Sequence, residues 1–184
     1  LWLDNHFYGS IFSLQYNKKK TLLQWGGNIS QYKGNHFGNI IWADVQPAVP
    51  KNYEWYRLNA QKNETSTFIK WSEKIDQHFE TFIDLQYRNI HYTINGFRDN
   101  PSIIVDKKYD FVNPKIGITY SQKNWSAYLS YAQATKEPNR DDFETGPTEG
   151  PQPETLHDIE AGFSIKNKKQ KWGVNLYYMN YNNQ

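Results

Sequence analysis

Apolar and polar residues take turns along short stretches of this chain. From Phe79 to Arg88, the residues Phe79, Thr81, Ile83, Leu85 and Tyr87 share one side, and Glu80, Phe82, Asp84, Gln86 and Arg88 the other. Side chains two apart point the same way only in an extended strand, so the run predicts a β-strand with one apolar and one polar face. Phe82 alone departs from it. The same period runs through Leu23–Ser30, Asn113–Tyr120, Trp125–Ala132, Asp158–Ile165 and Trp172–Met179. Two further strands are less regular. In Phe7–Tyr16, Phe7 and Ile11 oppose Tyr8, Phe12, Leu14 and Tyr16; in Thr67–Ile75, Glu73 falls among Ile69, Trp71 and Ile75. Eight strands are thus predicted, and helical periodicity is scarce. Pro114 lies inside a predicted strand, where it removes a ladder donor, so a bulge or a place near a rim is expected there.

The connections between these strands alternate strictly. Asn17–Lys20, Asp76–His78, Gln122–Asn124 and Asn167–Lys171 are short, whereas 33–64, 95–108 and 135–153 are long. Outer-membrane barrels have this asymmetry, with short periplasmic turns and long extracellular loops. Beside the short turns stand the apolar-face aromatics Tyr16, Trp25, Trp71, Phe79, Tyr120, Trp125 and Trp172. Aromatic rings favour the membrane–water boundary, so these seven are expected to form one ring at one depth. The opposite faces carry Gly, Ser, Asn, Gln, Asp and Lys, which suit a water-filled or plugged interior and would make a poor sandwich core. The fold class expected is all-β: about eight antiparallel transmembrane barrel strands in an up-and-down meander.

Composition agrees. Aromatics make up 17% of 184 residues, yet mean hydropathy is −0.89. A transmembrane barrel reconciles the two, because only every second residue needs to be apolar. The net charge of +2, with both signs mixed throughout, argues against a nucleic-acid partner. There is no cysteine, hence no disulfide framework or thiolate metal site. No stretch approaches the roughly 18 apolar residues of a membrane helix. Leu1-Trp2-Leu3-Asp4-Asn5 does not read as a secretory leader, and the chain is taken as a fragment of a larger barrel.

Several segments resemble TonB-dependent outer-membrane receptors, especially those common in Bacteroidetes. They are Trp2–Gly9, Asn35–Ala43, Asp84–Arg88, Asn113–Tyr120, Glu137-Pro138-Asn139-Arg140-Asp141-Asp142-Phe143, Pro153–Leu156 and Asn175–Tyr181. The stretch Glu137–Phe143 with Pro153–Leu156 is the most specific. The resemblance implies a 22-stranded barrel with a plugged lumen, of which residues 1–184 would be one partial barrel domain lacking the plug. It also implies partners: outer-membrane lipid, the rest of the barrel and its plug, the TonB system acting through that plug, and an imported small-molecule or glycan ligand. No catalytic residue, resident metal or cofactor is expected.

Candidate ligand residues follow from the long connections. Trp42, Tyr53, Trp55 and Tyr56 crowd the 33–64 connection, where exposed rings suit stacking on sugars, haem or siderophores. The other reading is a loop packed on its neighbours. Arg140 and Asp142 open the 135–153 connection. They either line a vestibule or pin the loop base; pinning is the more ordinary role. Asp141, Asp142 and Glu144 lack the spacing of a calcium loop. His6, His36, His78, His91 and His157 are scattered without metal-site spacing, and the lysines at 18–20 and 168–171 read as solvated turn residues. Two rival readings remain. One is a complete eight-stranded outer-membrane barrel acting as adhesin, anchor or lipid-modifying enzyme. The other is a soluble β-sheet binding module.

Overall fold

A computed structural model describes residues 1–44, 49–145 and 150–184. Eight strands follow one another: β1 (Trp2–Lys18), β2 (Thr21–Ile40), β3 (Tyr53–Lys74), β4 (Phe79–Asn95), β5 (Ile104–Ser121), β6 (Trp125–Lys136), β7 (Glu154–Lys166) and β8 (Lys171–Asn182). One short helix, α1 (Arg140–Thr145), lies between β6 and β7. Each strand pairs antiparallel with its neighbour in sequence, giving one sheet in the order β1 to β8. β1 and β8 do not pair with each other. A complete eight-stranded barrel needs that pair, so the structure is instead an open arc of wall.

The alternation expected from sequence sets the register. Leu23 pairs with Trp71, Ile83 with Ile116, Ile118 with Leu129, Phe163 with Val174, and Ile159 with Tyr178. These pairs lie on one apolar face, and its side chains are exposed: Ile83 47%, Ile116 50%, Leu129 53% and Leu176 69%. A soluble sheet would cover such a surface. The buried hydrophobics Leu58, Ile90, Ile94, Phe97, Val105 and Phe111 lie on the opposite, polar side, where Ile94, Phe97 and Val105 form a small cluster.

The strands run well beyond their expected ends. The connection expected over 33–64 shrinks to 41–52, and that expected over 95–108 to 96–103. Tyr53, Trp55 and Tyr56 therefore belong to β3 and not to a loop. The register of β2 and β3 shifts at Gly38/Asn39, across from Trp55. Gly96, at a φ of 82°, closes β4, and a Cβ there would meet the Pro101 carbonyl oxygen at 2.8 Å.

Aromatic residues on the polar face cover glycines on the next strand. Phe82, the exception in the β4 pattern, pairs with Gly117, and its ring leaves no room for a Cβ there. Phe68 covers Gly26 and Tyr128 covers Gly162 in the same way. Each ring fills space that the missing side chain leaves and stiffens the strand pair. The Lys70 ammonium lies 5.2 Å from the Phe82 ring centre, a cation–π contact.

Two of the short turns are closed by side-chain oxygens. Asp76 accepts from the backbone N–H of His78 (2.6 Å) and Phe79 (2.8 Å). Those N–H groups hold its carboxyl below the usual carboxylate range. Asn167 does likewise for Lys169 (2.9 Å) and Gln170 (2.8 Å).

Pro114 marks the place where the sheet divides. Pairing of β5 with β6 begins at Lys115–Ala132 and runs only toward the short turn. Beyond it, β6 stays with β7 while β5 stays with β4. Side chains replace the missing ladder: Thr135 N–H donates to Asn113 Oδ1 (2.9 Å), and its carbonyl accepts from Arg88 Nη1 (3.3 Å). The proline thus sits at a local rim, where the missing donor costs least.

Candidate functional site

Leaving β6, the chain turns onto the polar face. Glu137 is nearly buried there, at 9% exposure. Its carboxylate meets two cations: Lys62 on β3 and Arg88 on β4, the latter at 3.4 Å. Glu64 closes the circuit, 3.1 Å from Arg88 and 3.7 Å from Lys62. Burial pushes the Glu137 carboxyl up, but the Lys62 hydrogen bond and the two positive charges outweigh it and hold it below the usual carboxylate range. The four charges balance, and they fasten the start of the long connection to β3 and β4.

The helix α1 follows, capped by its own sequence. Asn139 Oδ1 accepts from the N–H groups of Asp141 (2.8 Å) and Asp142 (3.2 Å), and Asp142 Oδ2 accepts from Asn139 N–H (2.8 Å). This is a capping box, which satisfies otherwise unpaired donors at the helix start. The helix lies over the polar face. Phe143 packs edge-on against Tyr92 at 5.9 Å between ring centres. The Arg140 guanidinium rests on Phe97, 5.0 Å from the ring centre, with one nitrogen 3.5 Å from His36 Nδ1. Asn100 donates to Glu144 at 3.2 Å.

The six candidate ligand residues do not form a single cluster. Arg140 joins His36, Tyr92, Phe97 and Phe143 on the polar face. Asp142 is engaged in the cap of α1. Trp42 is 77% exposed in the 41–52 connection, and Trp55 is 65% exposed on β3. Tyr53 opens β3, and Tyr56 lies over Gly38 while packing edge-on against Trp55 at 5.7 Å. Sequence reading assigned no role to Lys62 and Arg88 as partners of Glu137. They lie 75 and 49 residues away in sequence, so no local pattern joins them.

On the apolar face, the aromatics beside the short turns make a continuous line from β4 to β8. Phe79 meets Tyr120 (4.8 Å), Tyr120 meets Trp125 (5.2 Å), Trp125 meets Phe163 (5.7 Å) and Phe163 meets Trp172 (6.4 Å). Trp25 packs on Phe12 at 5.2 Å, and Tyr16 and Trp71 sit on the same face near the β1–β2 turn and the end of β3. A second set, missed in the sequence, lies at the other end of the apolar stretch: Tyr87, Tyr131 and Tyr178. Tyr87 donates to Asp110 at 2.5 Å, and the Tyr131 hydroxyl lies 2.9 Å from His157 Nδ1. Each of these two tyrosines reaches the first polar residue beyond the apolar stretch. Between the two sets run about 20–27 Å of strand at ~3.4 Å per residue. That is close to the ~25 Å apolar band of outer-membrane barrels.

Residues 2–184 match the family model for the TonB dependent receptor-like β-barrel. The chain belongs to this family of TonB-dependent receptors, as part of the barrel. Solved structures of such receptors share the fold. Over 95% of this chain, the copper transporter OprC superposes with a TM-score of 0.78 at 10% identity. The FrpB iron transporter from Neisseria meningitidis covers 96% with a TM-score of 0.69 at 18% identity. The siderophore receptor PiuA from Acinetobacter baumannii covers 95% with a TM-score of 0.70 at 14% identity. The chain spans 29%, 29% and 31% of those three proteins. Among curated protein sequences, none matches it. TonB-dependent receptors reside in the outer membrane of Gram-negative bacteria, where the exposed apolar face finds lipid. The reading of a soluble binding module is thereby set aside.

Proposed function

We propose that the receptor containing this chain captures a scarce nutrient at the cell surface and imports it by coupling to the TonB system, without covalent chemistry. The family match over residues 2–184 carries this reading. Within it, the apolar face meets lipid and the two aromatic sets are its periplasmic and outer girdles. The polar face is turned to the lumen, and α1 forms part of the inner wall near the mouth.

Among nutrients, a ferric siderophore is the class favoured. Structural relatives include an iron transporter and a siderophore receptor. On this chain, Arg140 lies over Phe97 beside His36, a cation and aromatic surface suited to an anionic chelate. Trp42, Tyr53 and Trp55 at the end of the β2–β3 hairpin would make the first contact.

The test is uptake by cells carrying the whole receptor or lacking it. The expected result is accumulation of labelled iron from ferric siderophores that disappears with the receptor or with TonB, and that Arg140→Ala weakens. Uptake of haem, cobalamin or a glycan instead would keep the importer and replace its cargo. Accumulation indifferent to TonB would contradict the proposal.

A further inference from the structure

The apolar face does not end at the outer tyrosines. It continues, on the same side of the same strands, as a polar surface that the import reading does not use. Beyond Tyr87, β4 presents Asn89, His91, Thr93 and Asn95 on that side. The facing positions of β3 are Asn63, Gln61 and Asn59, and those of β2 are Gln31, Lys33 and Asn35. Side-chain amides dominate, and they are ordered: Gln31 donates to Asn63 at 2.8 Å, Gln61 to the same oxygen at 3.1 Å, and Asn89 to Asp110 at 2.8 Å. From Asn89 to Asn95, the surface extends about 20 Å along the strand.

Its charges are largely neutralised. His91 lies 2.8 Å from Asp106, Arg57 lies 2.6 Å from Glu54, and His6 lies 3.0 Å from Asp4. Lys33 and Lys108 are the remaining cations on this side of β2 to β5. At the upper edge, Phe37 stacks on Trp2 (6.4 Å between ring centres) and carries the Arg57 guanidinium at 4.5 Å. Fixed amides beside exposed rings match sugar hydroxyls and sugar faces better than phosphate, which calls for clustered arginines and lysines.

We propose that this surface docks the saccharide headgroup of the glycolipid in the outer leaflet. Position argues for that occupant. The surface starts where the outer tyrosines end and faces away from the lumen, so the headgroup layer lies directly beside it. The proposal rests on the girdle assignment above, and the experiment separates the two.

The whole receptor, purified in detergent, is mixed with rough lipopolysaccharide, which keeps its core sugars, or with lipid A, which lacks them. Bound lipid is counted by native mass spectrometry. Retention of the sugar-bearing form is expected to exceed that of lipid A by about tenfold. The combined variant Gln31→Ala, Gln61→Ala and Asn63→Ala should bring it down to the lipid A level. Should that variant fail to give a heat-modifiable barrel, Asn59→Ser with Asn95→Ser is the gentler substitute, and a fall in retention of the sugar-bearing form is again expected. Equal retention of both lipids, or variants that retain as much as the parent, would overturn the docking surface while leaving the girdles intact. Retention of neither lipid would count against the girdles and the surface together.

Discussion

Glu137 is where the long connection is fastened, and its chemistry dictates a pH response. Its carboxyl is held below its ordinary value of 4.5. A carboxyl so lowered stabilises the folded form above that ordinary value, and the contribution is lost as pH falls through the lowered one. Corrected for the slowing of intrinsic amide exchange in acid, the share of protection that Glu137 supplies at residues 137–145 of the whole receptor should therefore stay constant from neutral pH down to about 5 and fall only in more acidic solution. Glu137→Gln should loosen the same residues from neutral pH down to that point, by on the order of 1 kcal/mol for a partly solvated pair, and its difference from the parent should shrink in acid, where the parent carboxyl is itself neutral. In the adjoining cap, Asn139→Ala removes the acceptor for two backbone donors. Its expected cost is ~1 kcal/mol, read as faster exchange at Asp141 and Asp142. The Asn139-x-x-Asp142 spacing is a helix-start signal legible in the sequence. A helix of six residues is too short to add the periodicity that would have drawn attention to it.

Strand length is what the sequence conveyed least well. Near the short turns, one side of each strand meets lipid and the other a polar interior, so alternation is sharp and all eight strands are found. Past the outer tyrosines the outward side turns polar, and on β4 the period reverses, with Ile90, Tyr92 and Ile94 facing inward between Asn89, His91, Thr93 and Asn95. On β2, Gln31, Lys33 and Asn35 on one side oppose Tyr32, Gly34 and His36 on the other, and the period of two disappears although pairing continues. The same contrast predicts depth-dependent tolerance. Ile83→Arg, midway between Phe79 and Tyr87, should cost ~2–4 kcal/mol, whereas His91→Arg, beyond the tyrosines, should cost ~0–1 kcal/mol. Denaturant unfolding of the whole receptor refolded into liposomes measures both; equal costs would remove the lipid band from the account. Phe82 could not be read correctly from β4 alone, because its partner, Gly117, lies on β5.

At the scale of the molecule, the chain is an open arc of barrel wall. It has one lipid-facing side, one lumen-facing side, and a helix folded over the latter. Sequence alternation, the loop asymmetry and the aromatic positions sufficed for the two-sided wall, but not for the open arc or the helix. The charged circuit and the placement of Arg140 did not emerge, since they join residues distant along the chain. The central claim is the two-sided wall, and β4 tests it most directly. Single cysteines can be placed in turn from Phe79 to Asn95 of the whole receptor, after any cysteine outside these 184 residues has been replaced, and spin-labelled in bilayers. Collision with oxygen dissolved in lipid should peak at 81, 83, 85 and 87, and collision with an aqueous nickel complex at 80, 82, 84 and 86. From 89 onward the lipid signal should vanish on both sides. Water access at every position, without a period of two, would contradict the account.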